Sequence, residues 1–233
     1  MTATIRLRTV NLNRSPSVVN HLLKLLSDDE IDRAERFRFP RDRRRFIIRR
    51  AALRQIIAKE VGTPAEHLRF SAEPEFGRPF LAVPDATGLG FSSSHSEELG
   101  LIGLGASARF GVDMERVRRI SDFAAVATRF FTPEEAAAIG EAGDALDRFY
   151  RTWVLKEAFV KALGQGLSHP LDSFSVAIGA DPPHLLSAEA GDASAWHFRL
   201  FKPAPGWIAA VAAEHDPMAT LDLRSWSFDA FPC

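Results

Sequence analysis

The stretch RTWVLKEAFVKALGQGLS, residues 151–168, sets charges into an otherwise apolar helix pattern. Val154, Leu155, Ala158, Phe159, Ala162 and Leu163 recur at helical spacing, and Gly164 and Gly166 end the run. Lys156, Glu157 and Lys161 interrupt it. Glu157 and Lys161 lie four apart and share one helix face, which alone is a routine surface pair. The apolar flanks predict partial burial instead, where an unpaired carboxylate is costly. A metal near Glu157, or a phosphate on Lys161, would resolve that conflict.

Working outward, this helix is expected from about Asp144 to Leu163, after a short one opened by Thr132-Pro133-Glu134-Glu135 with cap, proline and glutamate in the favoured places. Strands are expected at 109–115 before these helices and at 174–178, 196–201 and 207–213 after them. The first half has the same order. Ser27-Asp28-Asp29 starts a helix, and a longer one runs from Arg41 to Val61, closed by Gly62. Strand-like runs follow at 68–72, 90–96 and 99–107. Each half reads as a long helix followed by about three strands. The expectation is an α+β fold of two similar units, 1–108 and 109–233, joined at a seam near residue 108.

The chain has 233 residues, 46% hydrophobic and 25% charged, which is ordinary globular composition. Its one cysteine, Cys233, excludes a disulfide framework and a multi-cysteine metal site. The N-terminal residues show no apolar signal core, and no run reaches the ~18 apolar residues of a membrane helix. A soluble, cytoplasmic protein is expected. The net charge is −1, yet ten arginines stand between Arg33 and Arg54 against Glu35 and Asp42. That stripe suggests an anionic partner, or simply a solvated helix face. Nucleic acid fits less well, because no glycine-aromatic RNA-binding pattern accompanies the stripe.

Gly103-Leu104-Gly105-Ala106-Ser107-Ala108 imitates a dinucleotide fingerprint, but a strand pattern follows it rather than a helix, so the glycines read as close packing or a hairpin. Asp113 and Glu115, two apart on a strand, share one face, with Val112 and Met114 on the other. Two such carboxylates repel unless water or a hard cation such as Mg²⁺ screens them; a solvated edge strand is the plain alternative. His95 lies in Ser92-Ser93-Ser94-His95-Ser96, whose hydroxyls, backbone N–H groups and imidazole could hold a phosphate, or form an ordinary loop. Gly77-Arg78-Pro79 is a turn offering one cation. No histidine spacing suits zinc.

In order, Gly77-Arg78-Pro79, Phe91 to Ser96, Gly111 to Glu115 and Trp153 to Leu167 resemble the motifs of the 4′-phosphopantetheinyl transferases of the surfactin-synthetase-activating (Sfp) type. The likeness extends from about Arg36 to Val176, and more loosely beyond. It implies two α+β subdomains related by a pseudo-two-fold, with the active site at their interface. It implies transfer of 4′-phosphopantetheine from coenzyme A to a serine of an acyl or peptidyl carrier protein. Adenosine 3′,5′-bisphosphate is released.

Residue by residue, the resemblance places Asp113, Glu115 and Glu157 on Mg²⁺, or Mn²⁺, and makes Glu157 the general base. Lys161 would hold the pyrophosphate, while Arg45, Arg78, Ser94 and His95 contact the 3′-phosphate and nucleotide. An acidic helical carrier would be steered by part of the arginine stripe and received near 165–180 or 122–140. A monomer is expected, since the duplication can build the site within one chain. The chain departs from the family with Arg78 for Lys, Met114 for Ile and Ser92 for Asn. The shorter Ser92 puts one loop hydrogen bond in question. The role of Lys156 is open between carrier, cofactor and water. The alternative is a homologue that binds coenzyme A or the carrier without catalysis, against which the intact carboxylates and Lys161 speak.

Overall fold

A computed structural model of the chain describes residues 4–73, 79–83, 88–106, 109–140, 143–166, 169–188, 192–214 and 221–228. The main elements recur in the same order, a further 3₁₀ turn (Ala193–Ala195) standing in the second half. The first unit runs β1 (Ile5–Asn11), α1 (Pro16–Leu23), α2 (Asp28–Glu35), α3 (Pro40–Val61), a 3₁₀ turn (Ala65–His67), then β2 (Arg69–Ala72), β3 (Pro79–Val83), β4 (Leu89–Ser96) and β5 (Leu99–Ala106). The second runs β6 (Phe110–Arg116), α4 (Phe123–Phe130), α5 (Pro133–Gly140), α6 (Ala145–Leu163), a 3₁₀ turn (Leu171–Ser173), then β7 (Phe174–Ala177), β8 (His184–Ala188), β9 (Trp196–Phe201) and β10 (Trp207–Glu214). A further strand, β11 (Leu221–Trp226), has no counterpart among the described residues. Among the described residues, each long helix is therefore followed within its repeated unit by four strands, not about three; β3 and β8 are short hairpin partners of β2 and β7.

The larger sheets have the orders β11-β1-β5-β4 and β6-β10-β9, so β1-β5-β4 matches β6-β10-β9. Strand alternation assigns the faces. Ile5, Leu7, Leu101, Phe110, Val112, Met114, Ala209 and Val211 form one core shared by the two sheets. The opposite face of the first sheet, through Val10, Ile102, Leu104 and Phe91, packs on α1 and α3. Ile208, Ala210 and Ala212 of the second pack on α6. The result is a layered α-β-β-α body with its seam between the sheets.

Gly103, from the fingerprint imitation, serves this seam. A Cβ there would lie 3.0 Å from both Phe110 and Val112, and β5 runs on as strand. The helix ends follow the sequence signals. Gly62 (φ 67°) and Gly164 (φ 79°) close α3 and α6 in the left-handed conformation. No helix among the described residues is long and apolar enough to cross a membrane.

Candidate active site

The site begins with the alternation of β6. Phe110, Val112 and Met114 fill the inter-sheet core, so Gly111, Asp113 and Glu115 turn toward α6. At Gly111 the two backbones meet: a Cβ would stand 2.5 Å from Ala162 N and closer still to the carbonyl oxygen of Ala158. That approach sets Asp113 beside Lys161, whose Nζ donates to Asp113 Oδ1 at 2.6 Å. Ser94 Oγ donates to the same oxygen at 2.7 Å. Asp113 is buried, and its Oδ2 has no hydrogen-bond partner.

Alternate serines of β4 bridge the seam to β6. Ser92 Oγ accepts from Val112 N at 3.1 Å, so the shorter side chain still makes a hydrogen bond. Ser96 Oγ donates to Glu115 Oε2 at 2.7 Å and accepts from Arg116 N at 3.0 Å. The other face of β4 looks to α3: Phe91 enters its core, Ser93 lines a cleft, and His95 feels the charges of Arg45 and Arg49. The S-x-S-x-S pattern is thus the seam, and His95 belongs to its far side.

Glu115 and Glu157 are both pushed above the usual carboxylate range. Burial is the main cause for each, and the charge of Asp113 adds to it. The Ser96 bond opposes the shift at Glu115, and Lys161 opposes it at both. Two carboxylates repelled by the charge of a third, which itself has an orphaned buried oxygen, are oxygen donors of the kind that suits a hard divalent ion. Among the described residues no three His, Cys, Asp or Glu side chains close into a ready-made cage, the Lys161 ammonium lying on Asp113 instead.

His95 is pushed down to about 4 by the crowding of protein around its ring and by Arg49, Lys161 and Arg45, with Asp42 opposing. Arg45 pairs with Glu97 at 3.4 Å, and Arg118 reaches the same carboxylate at 3.2 Å. Arg49, not singled out in the sequence, stands here too. Burial, with Arg50 and Arg33, lowers its guanidinium to about 10, and its Nε has no partner. Its signal was its spacing of four from Arg45 along one helix face. A cleft of about 550 Å³ opens between α2, α3 and β2, lined by Arg33, Phe46, Arg49, Arg50, Phe70 and Ser93. Arg78 lies outside the described residues.

A second, more apolar pocket of about 440 Å³ has Glu157 on its wall, with Phe130, Trp153, Val160 and Leu171. Lys156 touches neither pocket nor solvent. It is fully buried, pairs with Glu135 at 2.7 Å and lies 4.2 Å from the centre of the Phe174 ring. Of the predicted residues, Asp113, Glu115, Glu157 and Lys161 gather on one side of the seam. Ser94 bonds to Asp113 rather than turning toward α3, whereas His95 faces α3, the helix that carries Arg45.

Residues 109–212 match the 4′-phosphopantetheinyl transferase superfamily, and residues 12–105 match the N-terminal region of 4′-phosphopantetheinyl transferases. The 4′-phosphopantetheinyl transferase HetI of Nostoc sp. is 34% identical over 211 residues, covering 89% of this chain and 86% of that one. The 4′-phosphopantetheinyl transferase Sfp of Bacillus subtilis is 31% identical over 196 residues, covering 83% and 84%. The holo-[acyl-carrier-protein] synthase structure from Thermotoga maritima overlays at a TM-score of 0.40 and 22% identity over 46% of this chain and 64% of that one, too loosely to bear on the fold. Match to both family regions, and identity of this order across most of two relatives, establish that the chain belongs to the 4′-phosphopantetheinyl transferase superfamily.

Proposed function

We infer that the chain transfers the 4′-phosphopantetheine group of coenzyme A to a serine hydroxyl of an acyl or peptidyl carrier protein. The observation that carries this reading is the juxtaposition of Asp113, Glu115, Glu157 and Lys161 across β6 and α6, in a chain of that superfamily. The serine oxygen attacks the phosphorus that bears the pantetheine arm. The bond to the second phosphate breaks, and adenosine 3′,5′-bisphosphate leaves. Glu157, held above its ordinary range, would take the serine proton. Lys161 donates to the pyrophosphate oxygens and stabilises the departing charge.

Asp113, Glu115 and Glu157 would hold Mg²⁺, or Mn²⁺, which when bound neutralises negative charge on the pyrophosphate. His95 stays neutral in the free protein, while Arg45 and Arg49 offer forked donors to the 3′-phosphate and nucleotide. The apolar pocket at Glu157 suits the long, uncharged pantetheine arm or the apolar residues around the carrier's serine. Arg36, Arg38, Arg41 and Arg44, exposed before and along α3, would steer an acidic carrier. We propose that the protein acts as a monomer, since both halves of the site lie in one chain, and that it works in the cytoplasm. The test is a mass measurement. Apo-carrier, coenzyme A and Mg²⁺ should give a carrier heavier by one phosphopantetheine; no gain across a panel of carriers refutes the reading.

A further inference from the structure

The two units repeat one buried device. In the first, Ser27 and Glu30 form the capping box of α2, with Ser27 N donating to Glu30 Oε2 at 3.1 Å. Arg54 of α3 donates from Nε to that oxygen at 2.7 Å. It also donates to the carbonyls of Ala65 at 2.7 Å and Leu68 at 3.1 Å, the first residue of the 3₁₀ turn and the residue after it. In the second unit, Thr132 N donates to Glu135 Oε2 at 3.1 Å, capping α5. Lys156 of α6 pairs with that oxygen at 2.7 Å. It donates to the carbonyl of Leu171 at 2.8 Å and to that of Phe174, again the first residue of the turn and the residue after it. Both cations are buried, with 1% and 0% exposure.

Each device reaches a different pocket. Glu30 lines the arginine cleft; Arg50 pairs with it and stacks over Phe70, and both line the same cleft. Arg54 also lies over Phe70. On the other side, Leu171, whose carbonyl Lys156 holds, lines the pocket at Glu157. Phe131, beside Lys156, packs on Trp153 of that pocket, and Glu157 is the next residue along α6.

We propose that the two buried hubs are positioning groups with divided tasks: Glu30–Arg54 sets the wall that receives the nucleotide, and Glu135–Lys156 sets the wall where transfer occurs. This rests on the transferase reading above. A hub that only held the fold together could be replaced by apolar side chains of similar size without loss of function, since a buried ion pair often adds little net stability over such a core. A hub that aims a backbone segment cannot, because methionine makes no bond to a carbonyl.

The test compares two double variants, Lys156→Met/Glu135→Leu and Arg54→Met/Glu30→Leu, with thermal melts to confirm folding. The first should lower kcat by about tenfold or more while the KM for coenzyme A stays within about twofold. The second should raise that KM by about fivefold or more with kcat within about threefold. Both variants changing the same parameter, or folded variants with unchanged kinetics, overturn the division of tasks. If a double variant does not fold, Lys156→Gln and Arg54→Gln carry the same contrast. A wild-type protein that transfers nothing would instead sink the transferase reading.

Discussion

Gly111→Ala adds one methyl group at the point where β6 and α6 touch. The new carbon would stand 2.5 Å from Ala162 N and 2.8 Å from Lys161 Cβ, where ordinary contact begins at 3.4 Å. Two of the three nearest obstacles are backbone atoms, so no side chain can swing clear. The strand and helix must separate by about 1 Å, an overpacking that costs about 1–3 kcal/mol. For a chain of this size that lowers the melting temperature by roughly 2–4 °C per kcal/mol. The same shift carries Lys161 and Glu157 away from Asp113, and a 1 Å misplacement at a reacting centre can cost about 10²-fold in rate. Circular dichroism melts and the carrier mass assay measure both effects. A variant melting within about 1 °C of wild type and transferring at the wild-type rate would show that the close approach does not set the site.

Asp113→Ala and Glu157→Gln should each abolish transfer while the protein stays folded; near-wild-type mass gain in either overturns the role assigned to it. Chelation of divalent ions should stop transfer, and added Mg²⁺ or Mn²⁺ should restore it. Ser96→Ala removes a donor from Glu115 and an acceptor from Arg116 N; a loss of about 1 kcal/mol is expected, read as a lower melting temperature. His95 should titrate near 4 by NMR in the free protein. The unfolded chain takes up that proton near pH 6.5, whereas the folded one does not until about 4, so acidification between those values favours unfolding. His95→Gln should flatten that part of the stability profile, and an unchanged profile counts against it.

What the sequence disclosed was local. The α6 pattern, the Thr132 and Ser27 caps and the alternation of β6 each depend on residues a few places apart. They were readable, and so was the shared face of Asp113 and Glu115. What it concealed was made at a distance. Lys156 looked like one charge among several, because its partner Glu135 is on another helix and its other acceptors are carbonyls that no letter records. Arg54 sat within the stripe as though solvated, though it is buried. Ser92 reads as a shortened asparagine, and its acceptor role toward Val112 N depends on a strand twenty residues away. β8 and β11, with few buried residues, have weak alternation of their own and exist through their partners.

Strand β11 has a bearing on how this protein is made. It pairs in parallel with β1, Ile5 opposite Leu221 and Val10 opposite Trp226. During synthesis β1 leaves the ribosome long before β11, and its outer edge waits for that strand to cover it. Until then, the first unit presents an open row of N–H and C=O groups, an edge onto which another nascent chain could add. Closing the pair joins segments more than two hundred residues apart, a slow step by loop entropy. Truncation before Leu221 should leave the second unit's sheet intact and the first prone to aggregation, a fault of manufacture rather than of catalysis.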